Sequence, residues 1–223
     1  MKLQDYPDRE LMFLSLADRI AGQLADFLRR EGRASLCVPG GTTPGPVFDT
    51  LSGVDLDWAN VAVFPGDERR VPEDDPRSNA RLIRGRLLTG PAAAARFVPL
   101  SLAADAPQDA VAGLAESLAP HLPISVLLLG MGGDMHVASL FPGGDNLAAA
   151  LAADAPVVLP MHAPGVAEPR LTLSARVLAA AMHIHILITG PEKRDALERA
   201  ATLPPEKAPV RALLDNATVH WAE

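Results

Sequence analysis

VLLLGMGGDMHVASLFPG, Val126–Gly143, decides how this chain reads. Its first four residues are apolar and, with Ile124 and Ser125 before them, form a strand-sized run over 124–129. Such a run, bounded by turn residues, reads as a strand buried on both faces. Three glycines, Asp134 and His136 follow before a fourth glycine, Gly143, closes the stretch. A glycine-rich loop at the end of a buried strand lets a ligand approach the backbone closely. A histidine in that loop, two residues after an aspartate, is placed to act as a general base, because its ring titrates near neutrality and a carboxylate can orient it.

Outward from this stretch the same alternation repeats. Apolar residues Leu11, Leu14, Ile20, Leu24, Phe27 and Leu28 recur at helical spacing over 8–30, and Gly32 ends that helix. ASLCV (34–38) reads as a buried strand, and NVAVF (60–64) as another. Between them Thr43 is the expected N-cap and Pro44 the first residue of a helix running to about Leu51. PGDERRVPEDDPR (65–77) reads as a charged loop, with Ser78 capping the helix that follows. A short strand is expected over 97–100 and a helix over 107–119. Strands at 156–159 and 170–173, a helix in SARVLAAA, a strand in HIHILIT and a helix in PEKRDALERAAT capped near Thr189 come next, and TVHW reads as a final edge strand. The Ala and Pro clusters at 91–95 and 204–209 read as loops. Strands alternating with helices predict an α/β fold, a mostly parallel, open twisted sheet flanked by helices on both faces. With no repeat and no linker, 1–223 reads as a single domain.

Composition narrows the function. The chain has 223 residues, 48% of them hydrophobic and only 4% aromatic, which suits helices packed on a sheet. A formal net charge of −7 gives no support to nucleic-acid binding. The one cysteine, Cys37, lies in an apolar strand and reads as a core residue; it can form no disulfide within the chain, which fits a reducing compartment. The N-terminus lacks a signal-peptide core and no apolar run is long enough to span a bilayer, so a cytoplasmic protein is expected.

In open parallel sheets ligands bind beyond the carboxyl ends of the strands. Three predicted strands end there in unusual loops. GGTTP brings Gly40, Gly41, Thr42 and Thr43 to a helix start, where outward-pointing N–H groups can hold a phosphate. It lacks the GK[ST] ending of a Walker loop, and GMGGDMH lacks the GxGxxG spacing of a dinucleotide loop. GDERRVP puts Asp67, Glu68, Arg69 and Arg70 in a row, where a carboxylate can bind a sugar hydroxyl and an arginine a carbonyl or carboxylate. GMGGDMH supplies Asp134 and His136. Arg170 and Lys193, beside later strand ends, can complete a phosphate pocket with GGTTP. The other histidines read as structural or solvated: His183 and His185 on one face of a strand, and His121, His162 and His220 near element ends or loops.

Taken together, GGTTP, DERRVP followed by Ser78–Asn79, and GMGGDMHVASLFPG resemble the signatures of the 6-phosphogluconolactonase family, itself similar to the glucosamine-6-phosphate deaminases. PRLTL (169–173) and TGPEK (189–193) extend the resemblance over nearly the whole chain. It implies hydrolysis of 6-phospho-D-glucono-1,5-lactone to 6-phosphogluconate in the pentose phosphate pathway. The partner implied is the small-molecule sugar-phosphate lactone, with no nucleic acid, no membrane, no metal and no organic cofactor, in a monomer or small homo-oligomer. It makes His136 the general base that activates water, with Asp134 beside it. It gives the phosphate to Gly40, Gly41, Thr42 and Thr43 with Arg170 and Lys193. Asp67 and Arg69 fall near the sugar end, with Arg69 the candidate for the oxyanion. One departure stands out: the family usually reads D-G-H, and here Met135 replaces that glycine. A position that demands positive φ strains a methionine. Gly133 stands where an acidic residue is common.

Two alternatives bear on function. A deaminase generally carries an acidic residue a few positions after the histidine, where this chain reads Leu140-Phe141-Pro142-Gly143. A non-catalytic sugar-phosphate sensor of related fold usually carries a helix-turn-helix segment, for which this chain has no room.

Overall fold

The computed structural model describes residues 1–101 and 110–223. Val126–Gly130 (β6) sits near the middle of a seven-stranded parallel sheet. The order is Lys2–Asp5 (β1), Ala217–Ala222 (β10), His183–Thr189 (β9), β6, Ala34–Val38 (β2), Val61–Pro65 (β3) and Arg96–Phe97 (β5). All six pairings are parallel. A smaller antiparallel sheet joins Asp67–Arg69 (β4), Arg170–Leu173 (β8) and Val158–Met161 (β7).

Alternate residues of the central strands feed two cores, because strand side chains point to opposite faces in turn. Leu36, Val38, Val126 and Leu128 join one core, with the helices Arg9–Glu31 (α1), Gly45–Ser52 (α2) and Asn79–Arg86 (α3). Cys37, Leu127 and Leu129 join the other. That face is covered by Ala110–Leu118 (α4), Leu147–Leu151 (α5), Ala175–Ala179 (α6), Pro191–Ala200 (α7), Arg211–Leu214 (α8) and the small sheet. Helices on both faces explain why these strands are apolar throughout rather than alternating. Among the described residues no helix is long and apolar enough to cross a membrane.

The helix ends follow local chemistry. Asp8 caps α1 by accepting from Leu11 N–H (2.7 Å), and Gly32 closes it in the left-handed region at φ 70°. Ser78 caps α3 through Arg81 N–H (3.2 Å). Thr43 does not cap α2: the helix starts at Gly45, Pro44 holds the cap position, and no side chain bonds there. Gly190 takes the cap position of α7 in place of Thr189, again without a side-chain bond.

Several strand assignments change. Asp67–Arg69 is a strand rather than a loop, since β8 supplies its partner. The last strand is internal: β10 lies between β9 and the N-terminal β1, which forms the edge. His220 is accordingly fully buried within β10, not near an element end. β5 spans only Arg96–Phe97 and shares just Phe97 with the strand expected over 97–100, and the cluster at 91–95 is largely a short 3-10 helix, Gly90–Ala94. Of the helix expected over 107–119, residues 107–109 lie outside the described residues, α4 forms the next part, and Ala119 opens a 3-10 turn.

Candidate active site

β2 and β6 are neighbours, but the chain leaves them in opposite directions across the sheet, β2 to β3 and β6 to β9. That is a topological switch point, and a crevice opens beyond the carboxyl ends of the two strands. A cavity of about 450 Å³ lies there. Gly40, Gly41, Thr43, Asp67, Arg69, His136, Arg170 and Lys193 all line it. Thr42 and Asp134 do not. Thr42 is exposed, its carbonyl taking Gly45 N–H (3.2 Å), and Asp134 is bonded to His136 Nδ1.

The loop after β6 is shaped by backbone bonds. Met135 N–H donates to Gly132 O (3.0 Å), and Gly132 N–H donates to His136 O (2.9 Å). Closing this turn puts Met135 at φ 68°. The position does demand the left-handed region, and methionine occupies it at a cost of about 1 kcal/mol. Val210 N–H holds the turn from outside through Met135 O (3.1 Å), and Lys193 Nζ donates to Met131 O (2.9 Å). Gly132 is required for a different reason: a Cβ there would collide with His136 Nδ1 and Asp134 Oδ1.

Those two atoms are 2.5 Å apart. The bond from His136 holds the Asp134 carboxyl below its ordinary range, against an opposing effect of partial burial. Because a carboxylate oxygen accepts, Nδ1–H donates to Asp134, and in a neutral ring this leaves the lone pair on Nε2, which has no hydrogen-bond partner among the described residues. His136 remains 31% exposed beside the cavity, and its ring lies 4.6 Å from that of Phe141.

The opposite wall is built by β4 and β8, whose register pairs Arg69 with Arg170. Burial, and then the charge of Arg69, lower the Arg170 guanidinium pKa. The Nε atoms of both arginines are buried without a hydrogen-bond partner among the described residues. Arg69 donates through one terminal nitrogen to Arg77 O (2.5 Å), and Arg170 lies 3.5 Å from Glu168. Two like charges side by side over an open cavity favour an anionic occupant. Arg170 therefore shares a wall with Arg69, a pairing the sequence did not reveal.

Asp67 is only 8% exposed and already engaged. Ser139 Oγ–H donates to its Oδ2 (2.5 Å), while Asn79 Nδ2–H donates to its carbonyl (2.7 Å). Ser139 N–H in turn donates to Thr172 Oγ1 on β8 (3.2 Å). Sequence reasoning put neither Ser139 nor Asn79 in the site. The signal available was the serine three residues after the histidine and the SN pair after DERRVP. Asn79 also fills the space that Gly40 leaves open: a Cβ on Gly40 would strike its side chain.

The chain is similar to known proteins over nearly its whole length. The model of the family described as glucosamine-6-phosphate isomerases/6-phosphogluconolactonase matches residues 7–221. A 6-phosphogluconolactonase of Mesorhizobium japonicum is 43% identical over 223 residues, 97% of this chain and 93% of its own. One of Pseudomonas aeruginosa is 42% identical, over 92% of this chain and 88% of its own. The crystal structure of a 6-phosphogluconolactonase from Shewanella baltica matches with a TM-score of 0.95 at 30% identity, covering 100% of this chain and 98% of that one.

Proposed function

The chain belongs to the family of glucosamine-6-phosphate isomerases and 6-phosphogluconolactonases, and from that premise we propose that it hydrolyses 6-phospho-D-glucono-1,5-lactone to 6-phospho-D-gluconate in the oxidative pentose phosphate pathway. The observation that carries this reading is the His136–Asp134 pair, with Nε2 unpartnered among the described residues, beside a cavity walled by two arginines.

The chemistry runs on the chain's own groups. A lactone is an activated ester, so water is a sufficient nucleophile once it is deprotonated in place. His136 Nε2 takes a proton from water, and the oxygen attacks the lactone carbonyl carbon. Asp134 steadies the imidazolium so formed, a step worth about 10²–10⁴-fold for a positioned base. The carbonyl oxygen becomes an oxyanion facing Arg69, whose guanidinium is worth about 10²–10³-fold if it meets that charge. Collapse breaks the bond from the carbonyl carbon to the ring oxygen, which takes the proton back from His136. The carboxylic acid released ionises to solvent.

Gly40, Gly41, Thr42 and Thr43, with Arg170 and Lys193, hold the phosphate and fix the ring against the base. Thr42 itself lies outside the cavity lining, so its part in the grip is through the loop it shares with Gly41 and Thr43. Binding energy gained at a group remote from the bond that breaks is what orients the reacting centre. On this reading residues 1–223 act as one domain, cytoplasmic, as a monomer or small homo-oligomer, with the lactone as partner and neither nucleic acid, membrane, metal nor organic cofactor involved. The net charge of −7 supports the exclusion of nucleic acid.

The test is hydrolysis of lactone generated in situ by a glucose-6-phosphate dehydrogenase, followed against the spontaneous rate. Acceleration by the wild-type protein is expected, and its absence would remove the assignment.

A further inference from the structure

Glu68 lies between two residues of the cavity wall but does not line the cavity. It is 1% exposed. A carboxylate so enclosed is costly unless its oxygens are satisfied. Oε1 accepts the backbone N–H of Arg69 (2.7 Å) and of Asn79 (2.8 Å). Oε2 accepts the N–H of Ala80 (2.7 Å) and the Ser78 hydroxyl (3.3 Å). Burial pushes its pKa up, and the three backbone donors oppose that shift.

One carboxylate therefore ties β4 to the first turn of α3. The tie extends both ways. Asn79, fixed by its own N–H, bonds the carbonyl of Asp67 and packs into the space at Gly40. The loop proposed to hold phosphate and the strand carrying Asp67 and Arg69 are thereby referred to a single group.

We propose that Glu68 is a positioning residue of the reaction: it sets the Arg69 guanidinium against the Gly40–Thr43 loop, so that a substrate gripped by its phosphate presents its carbonyl oxygen to Arg69. This rests on the lactonase reading above. A merely structural Glu68 would stabilise α3 without acting through Arg69. The chemistry of the group separates the two. Gln at this position keeps the volume but turns one accepting oxygen into a donor that faces N–H groups, so half the tie opens.

The experiment compares wild type, Glu68→Gln, Arg69→Ala and the double variant for lactone hydrolysis and for affinity towards 6-phosphogluconate. Glu68→Gln is expected to lower kcat by about 10–100-fold, the scale on which displacing a catalytic group by about an ångström acts. KM changes far less, because the phosphate grip remains. Added to Arg69→Ala, the same change is expected to cost less than about threefold, since the group it positions is gone. Affinity for 6-phosphogluconate falls in Glu68→Gln, because the product carboxylate lies where the oxyanion forms. Amide exchange at Arg69, Asn79 and Ala80 speeds up while the seven-stranded sheet keeps its protection.

A wild-type kcat in Glu68→Gln, or a loss that multiplies in full with that of Arg69→Ala, would overturn the proposal. If the wild type does not accelerate lactone hydrolysis, the lactonase reading fails separately. Affinity for 6-phosphogluconate then decides alone: weaker binding in Glu68→Gln supports the positioning role, and unchanged binding overturns it. Should Glu68→Gln fail to fold, Asn79→Ser replaces it, cutting the link to Asp67 and Gly40 while leaving Glu68 its N–H donors. The same non-additivity with Arg69→Ala is expected, and full additivity overturns the proposal.

Discussion

His136 and His220 each hold a hydrogen bond through Nδ1, yet the two rings sit in opposite settings. His136 donates Nδ1–H to a carboxylate beside a cavity, and its Nε2 has no partner among the described residues. His220 accepts the hydroxyl of Tyr6 (2.8 Å) and is fully buried. Its Nε2–H donates to His185 Nδ1 (3.0 Å), and His185 Nε2–H donates to Gln23 Oε1 (2.8 Å). Each nitrogen of this interior chain has one neutral partner, so both rings are locked neutral. Burial first, and nearby positive charge second, push the two down to about 3 for His185 and about 4 for His220. The contrast shows what makes a histidine a base: a negative partner on one nitrogen, with solvent and substrate space at the other.

Removing that negative partner would make His136 more like the interior rings. Asp134→Asn is expected to lower kcat by roughly 10–100-fold, the loss of one hydrogen bond to a charged ring, with KM nearly unchanged. Steady-state kinetics check it; a kcat within error of wild type would take Asp134 out of the chemistry. Weakening the opposite wall should act on binding instead. Arg170→Ala is expected to raise KM by about 10-fold and to move kcat little. An unchanged KM would remove Arg170 from the phosphate grip.

The interior pair should show itself in stability rather than in rate. Histidines of the unfolded chain titrate near 6.5, whereas the folded pair holds out to about 3 and about 4. The unfolded state therefore binds the extra protons across that window. Stability is full above about pH 6.5 and falls as the pH drops towards 4. Denaturant melts from pH 7 to pH 4.5 should show the loss in wild type and equally in His136→Ala. A flat profile would mean that the interior rings are not held neutral. The smallest effect concerns the turn itself. Met135→Gly releases about 1 kcal/mol of left-handed strain but adds glycine's unfolded-state entropy, so a gain below about 1 kcal/mol is expected. Its kcat should stay within about twofold, since the backbone bonds that hold His136 do not involve the methionine side chain. A large loss of rate would show that the side chain matters.

Much of this was legible in the chain because it is local. The buried runs 34–38 and 124–129, the cap at Ser78 and the three loops beyond the strand ends each follow from neighbouring residues. The positive φ at residue 135 was legible too, as a methionine where the family places glycine. What stayed hidden depends on distant partners. Asp67–Arg69 carries three charges and no apolar alternation, so only pairing with residues 170–172 makes it a strand. That pairing sets Arg170 against Arg69. The Ser139–Asp67 bond joins residues 72 positions apart. TVHW looked like an edge because β1 is a short polar segment at the other end of the chain.

The central claim is that His136 activates water, and one measurement meets it directly. Lactone made in situ is presented to wild type and to His136→Ala, and the rate above spontaneous hydrolysis is compared while 6-phosphogluconate affinity is recorded for both. The account predicts acceleration by the wild type, loss of about 10²–10⁴-fold of it in the variant, and affinity largely retained. Wild-type acceleration by His136→Ala would contradict it.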